Sequence, residues 1–221
     1  MNLVSNSSEL TLSDGVCLHQ RYLSVNGVRL HLLEAGAGPL VILLHGFPEN
    51  CYGWLGQIPA LVKAGYRVVA PDLRGYNLSE KPKGLNAYRL DLLALDVEAL
   101  ILALGEDSAH VVGHDWGGVI AWMVAMMFPE RVRKLIIINA PHPTRYLQLL
   151  WRTTQLLRSW YVFFFWCPYW PERIIRMNRF QRVRQLFMND PIKPDVYSNA
   201  QIDGFINGLS ISNALTAGLN Y

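Results

Sequence analysis

The run Gly113-His114-Asp115-Trp116-Gly117-Gly118 joins a short apolar stretch, residues 109–112, to a helix-like one, residues 119–127. A strand, a sharp turn and a helix, with small residues two before and two after the central position, make a nucleophile-elbow pattern. Such a turn holds one side chain up from the sheet in a strained, exposed conformation. The flanking residues must be small because the turn packs strand and helix backbones too closely for larger side chains. The central residue is Asp115, a carboxylate where hydrolases built on this turn usually carry a serine. A carboxylate is a poor attacker of esters and amides. It suits displacement of a leaving group from saturated carbon, in an epoxide or an alkyl halide, giving a covalent alkyl ester. Taken alone, the motif also reads as a Gly-rich turn whose Asp caps the following helix.

A second motif separates these readings. Residues 40–44, Leu-Val-Ile-Leu-Leu, are an apolar run of the kind buried in a parallel sheet, and they end in His45-Gly46-Phe47-Pro48. Beside a nucleophile elbow, the loop after such a strand supplies one backbone N–H of an oxyanion hole. The residue after the nucleophile supplies the other. The two amides are those of Phe47 and Trp116. Pro48 stiffens this loop, through an X–Pro bond open to either isomer.

The elements that must hold these groups follow from the pattern of the chain. Residues 21–25 and 28–34 flank Asn26-Gly27, a strong hairpin signal. Residues 54–63 read as a helix stopped by Gly65, and residues 66–70 as a strand ending at Pro71-Asp72. Residues 88–104 place Leu90, Leu93, Val97, Leu100, Ile101 and Leu104 on one helical face, with Gly105 as the stop. Residues 110–112 and 132–138 read as further strands. Buried strands alternating with helices predict an α/β fold: a mostly parallel, doubly wound sheet behind an antiparallel hairpin. After Pro143 the alternation stops, and a helical region rich in aromatics, including Trp160 and Tyr161, runs on. We expect a core over residues 1–141 and an inserted helical lid over 142–221, covering the strand ends where open sheets bind ligands. Singly, its aromatics read as core; together, they suit an apolar substrate.

Composition narrows the class. The 221 residues suit one domain with an inserted subdomain. Net charge is +3 without a basic run, which points away from nucleic acid and anionic surfaces. Cys17, Cys51 and Cys167 lack metal-ligand spacing and read as reduced packing residues of a cytoplasmic protein, with no metal or cofactor expected. The N-terminus does not read as a signal peptide, and no apolar run reaches the length of a membrane span.

His45-Gly46-Phe47-Pro48-Glu49, Pro71-Asp72-Leu73-Arg74-Gly75-Tyr76, the elbow, and Phe128-Pro129-Glu130-Arg131-Val132 occur in an order that resembles the epoxide hydrolases of the α/β-hydrolase superfamily, from about residue 21 to residue 221. The resemblance implies that Asp115 opens the epoxide and that Tyr161, within Ser159-Trp160-Tyr161, donates a hydrogen bond to the epoxide oxygen. Phe47, Trp116 and Trp160 would line the pocket for a small apolar epoxide, with water as second substrate. A second lid tyrosine is expected just after Asn220-Tyr221, and the acid and histidine of the triad after the lid on the last strands. The chain is therefore expected to be a fragment lacking its C-terminal strands, able at most to form the ester. His45 and His114 read as structural, His142 has no evident acid partner, and His19, His31 and His110 read as surface or strand positions. Asp72 and Arg74 read as a local ion pair at a strand end, and Glu49 as a loop-stabilising acceptor. The alternatives are a haloalkane dehalogenase, which shares the Asp-Trp elbow, and a non-catalytic truncated relic. Phe47 has no side-chain N–H to hold a halide, and Trp116 stands where a fluoroacetate dehalogenase carries Arg.

Overall fold

A computed structural model describes residues 4–6, 9–12, 14–150, 167, 170–189 and 196–221. The Asn26-Gly27 signal forms as expected. Both residues take positive φ, 44° and 74°, and close the hairpin of β3 (Cys17–Val25) and β4 (Val28–Ala35), with Val25 opposite Val28. Two short strands, β1 (Val4–Asn6) and β2 (Glu9–Thr11), extend this antiparallel part outward. The parallel part consists of β5 (Leu40–Leu44), β6 (Arg67–Pro71), β7 (Ala109–His114) and β8 (Val132–Ile138). The sheet order is β1-β2-β3-β4-β6-β5-β7-β8. The antiparallel share is thus larger than one hairpin. Short, half-polar strands such as Glu9–Thr11 carry too little periodicity to be read from sequence.

Helix α1 (Ile58–Lys63) follows β5 and contacts β6, while α2 (Leu90–Ala103) and α3 (Trp116–Met127) pack on each other. The expected helix over 54–63 begins four residues later. Pro59 sits in its first turn, where its missing N–H is harmless, and one turn further in it would clash with a preceding carbonyl. Gly65 and Gly105, at φ 85° and 83°, close α1 and α2 as read.

Period-two alternation divides the core between the two faces of the sheet. Leu30, Leu32, Leu40, Ile42, Leu44, Val69 and Val111 pack with α2 and α3 on one side. Leu33, Val41, Leu43, Val68, Ala70 and Val112 pack with Ile58 and Trp54 on the other. From β5 the chain turns toward β6, and from β7 toward β8. The C-terminal ends of β5 and β7 therefore flank the switch point, where open α/β sheets bind their ligands.

The remainder is helical: α4 (Pro143–Leu150), α5 (Trp170–Asn189), α6 (Asn199–Ser210) and α7 (Ala214–Leu219). Helix α5 is broken at residues 177–180, where Asn178, Arg179 and Phe180 take left-handed angles. Phe180, Val183, Phe187, Ile202, Phe205 and Leu209 join α5 to α6 in a separate apolar cluster. Among the described residues no helix is long and apolar enough to cross a membrane.

Candidate active site

Asp115 stands between β7 and α3 with φ 52° and ψ −121°, a conformation that costs a residue bearing a Cβ on the order of 1–3 kcal/mol. The surroundings enforce it. A Cβ on Gly113 would lie 2.3 Å from the Gly117 carbonyl oxygen, and one on Gly117 would lie 2.2 Å from that of Leu44. The Asp115 amide donates to Ile138 O at 3.1 Å, tying the turn to the end of β8. The small residues two before and two after Asp115 are therefore steric requirements, as their spacing implied.

The loop after β5 meets the elbow at the carboxylate. The Phe47 amide donates to Asp115 Oδ1 at 3.0 Å, and Gly46 faces the carboxylate so closely that a Cβ there would lie 2.6 Å from Oδ1. The Phe47–Pro48 bond is cis. Trp116 occupies the first position of α3, where backbone N–H groups have no intrahelical acceptor and the helix end favours negative charge. Its ring meets the Tyr221 ring at 6.0 Å. Asp115, Phe47 and Trp116 are thus brought together. Tyr161 and Trp160, the donor and pocket residue drawn from the resemblance, lie outside the described residues.

The histidines near the site are committed to the scaffold. Buried His45 accepts from the Leu73 amide through Nε2 at 3.0 Å, which leaves Nδ1 to donate to Gly46 O at 2.9 Å. Burial holds its pKa below the ordinary histidine value, outweighing the pull of nearby Asp72. His31, read as a strand position, is fully buried on β4. Its two ring nitrogens bond Asp72 Oδ2 at 2.7 Å and Gln20 Oε1 at 3.1 Å.

The expected ion pair between Asp72 and Arg74 does not form. Asp72 is bonded to His31, to the Asn77 side chain at 2.8 Å and to the Cys51 amide at 3.0 Å. Arg74 turns the other way and grips Asp96 on α2, with its Nε 2.7 Å from Oδ2. Local spacing favoured the near partner. Two buried charges instead find fully desolvated partners on different elements. His31, Cys51 and Asp72 also form a trio whose potential ligand atoms lie within 4.8 Å of one another, as do Glu9, Cys17 and His19. The bonds of the Asp72 carboxylate make the first trio a packing cluster.

Glu49 links the loop, the elbow and the C-terminal helices. Its carboxylate lies 3.3 Å from His114 Nδ1 and accepts from the Tyr197 hydroxyl at 3.1 Å. Burial works to raise the Glu49 pKa, but the hydrogen bond and charge of His114 hold it below the ordinary value. The same bond raises the pKa of His114. Further grips follow: Asn50 Nδ2 to Gly204 O at 3.2 Å, Gln201 Nε2 to Tyr52 O at 3.3 Å, and the Tyr221 hydroxyl to Arg74 O at 2.6 Å. Gly218 abuts Phe47, leaving a Cβ only 3.2 Å from its ring. Tyr197 carried no sequence signal, since its partner is 148 residues away.

A strained elbow after β7, an amide-bearing loop after β5 and this strand order define an α/β hydrolase. The α/β hydrolase fold family model matches residues 39–185. The AB hydrolase superfamily protein YfhM of Bacillus subtilis (strain 168) is 42% identical over 206 residues, covering 91% of this chain and 71% of that protein. Human epoxide hydrolase 4 is 38% identical over 203 residues, covering 89% of this chain, which spans 56% of that relative's length. Among solved structures, the Bacillus megaterium epoxide hydrolase F128A mutant, complexed with the diol (R)-3-[1]naphthyloxy-propane-1,2-diol as its product, superposes with a TM-score of 0.82. It is 36% identical, covering 91% of this chain and 70% of that one. The chain belongs to the epoxide hydrolase family of the α/β-hydrolase superfamily.

Proposed function

We propose that this protein opens epoxides through a covalent ester on Asp115. The observation that carries the reading is the Phe47 amide bonded to Asp115 Oδ1 at 3.0 Å beneath a strained elbow. With Oδ1 held, Oδ2 is the oxygen that attacks an epoxide carbon. The ring C–O bond breaks, its electron pair goes to the ring oxygen, and Tyr161, by the resemblance, donates the proton that oxygen takes. Oδ1 then becomes the ester carbonyl oxygen. It already lies against one oxyanion-hole donor, and the Trp116 amide is the second. In the next step water attacks the ester and a vicinal diol leaves. Residues 142–221 serve as the lid, with Trp116, Trp160 and Phe47 against a small apolar epoxide. The names of the relatives and the diol in the Bacillus megaterium structure support this substrate class.

The test is intact mass after incubation with styrene oxide. We expect a single covalent addition mapping to Asp115, and none in Asp115→Asn. A folded sample that gains no addition, or one that reacts through other residues only, overturns the reading. Faster ester formation from a 1-haloalkane, with halide release, would move it to the dehalogenase alternative.

A further inference from the structure

The outer hairpin of β2 and β3 carries three metal-ligating side chains on one face, away from the catalytic elbow. In the sheet order β3, β4, β6 and β5 separate β2 from β7, the strand that leads into Asp115. Register decides which residues share a face. Glu9 pairs with His19, Leu10 with Leu18 and Thr11 with Cys17. Leu10 and Leu18 are buried in the core, so the residues alternating with them face the other way. Glu9 therefore stands directly across from His19, and Cys17 lies two positions before His19 on the same side. One potential ligand atom from each residue lies within 4.8 Å of the other two. His19 Nδ1 is 3.3 Å from Glu9 Oε1, with both side chains about half exposed. Cys17 is a free, half-buried thiol. An ordinary ion pair accounts for only part of this arrangement. At that exposure a His–Glu pair stabilises little, and it makes no use of the thiol beside it.

We propose that Glu9, Cys17 and His19 bind one Zn2+, with water in the fourth position. Sulfur, imidazole nitrogen and carboxylate oxygen together are a zinc set, whereas magnesium and calcium take oxygen ligands. Around a tetrahedral Zn2+, nitrogen and oxygen ligands at their usual bond lengths stand about 3.3–3.5 Å apart, and sulfur stands about 3.6 Å from either. The Glu9–His19 separation already meets the first figure. The sulfur reaches the second by closing at most about 1.2 Å, the difference between 4.8 Å and 3.6 Å, which a swing about χ1 supplies. The thiol proton passes to solvent as the sulfur coordinates. Two ligands come from β3 and one from β2, so the metal cross-links the strands near the outer edge of the sheet. The spacing of the cysteines carries no such signal, because strand register, rather than an interval in sequence, brings Glu9 to the other two.

The test titrates the reduced, tag-free chain with Co2+, whose bond to a thiolate absorbs where the protein alone does not. We expect one Co2+ per chain with that absorption, displaced by Zn2+ and unaffected by excess Mg2+. Cys17→Ser should abolish the absorption, and Glu9→Gln and His19→Gln should each weaken binding by at least about tenfold. Cys167→Ser, which removes the exposed thiol, should bind as the wild type does. Absorption that survives Cys17→Ser, or that is lost in Cys167→Ser, overturns the assignment. So does a wild-type chain that takes up no Co2+, or binding that neither Glu9→Gln nor His19→Gln weakens, which would leave only a metal on a single thiol. Alkylation by iodoacetamide, read by peptide mass, is the second readout and needs only the wild-type chain. Zn2+ should slow modification of Cys17 about tenfold, since a coordinated thiolate is no longer a free nucleophile. Equal rates with and without Zn2+ overturn the proposal.

Discussion

At Asp115 the strained angle and the close glycines are one device, because the helix can approach the sheet only where both partners lack side chains. Gly117 is the position that tolerates least, since a Cβ there meets Leu44 O at 2.2 Å, and this is backbone that cannot rotate away. Gly117→Ala should therefore lower stability by more than about 3 kcal/mol, or prevent folding altogether. Gly56, with nothing within 4 Å, is the matched control, and Gly56→Ala should change stability by less than about 1 kcal/mol in urea melts. Similar losses for both would remove the steric argument. Buried Arg74 makes a second case. Arg74→Ala leaves Asp96, only 4% exposed, as an unpaired carboxylate and should cost roughly 3–5 kcal/mol in the same melts. The elbow was legible in the sequence because its constraints act between residues a few positions apart. The partners of Asp72, Arg74 and Glu49 were not, because each bond joins elements that only the fold brings together.

Among the elements, those that could be read were those whose environment is uniform along their length. Leu40–Leu44 is buried at every position, and α2 buries one face throughout, so period and apolarity sufficed. The start of α1 depended on a single proline, and β1 and β2 on pairing with a neighbour. The junction between the C-terminal helices and the elbow also lay beyond periodicity, and it has a pH signature. His114, with its pKa raised above 6.5 by Glu49, contributes stability that is full below that ordinary value and is lost as pH rises through the higher folded value. Glu49, lowered below 4.5, contributes stability that is present above that value and is lost as pH falls through the lower folded one. The junction should be strongest between these limits. Between about pH 6.5 and 8.5 the wild-type melting temperature should fall by roughly 2–4 °C more than that of His114→Gln. Parallel curves for the two proteins would show that the Glu49 bond does not stabilise the junction.

For the molecule as a whole, the sheet is protected unevenly. At the β1 end it finishes in two three-residue antiparallel strands, a short edge that offers little to pair with. At the other end stands β8, seven residues long, paired with β7 alone among the described residues and carrying exposed Ile136 and Ile138. Met126 and Met127, at the end of α3, are exposed as well. A long apolar edge strand is a template for another chain, through both its unpaired backbone groups and its side chains. The 221-residue chain should therefore self-associate, with a weight-average mass by light scattering that rises with concentration above the 25.1 kDa monomer. Ile136→Lys places a charge on that edge and should return the mass toward the monomer. Ile138 is the wrong residue to change, because its carbonyl receives the Asp115 amide. If association runs through β8, the variant should form the Asp115 adduct at the wild-type rate while staying dispersed, since the edge and the nucleophile are separate features of the same sheet. A variant that associates as strongly as the wild type would move the sticky surface elsewhere, with the exposed methionines of α3 the next surface to change.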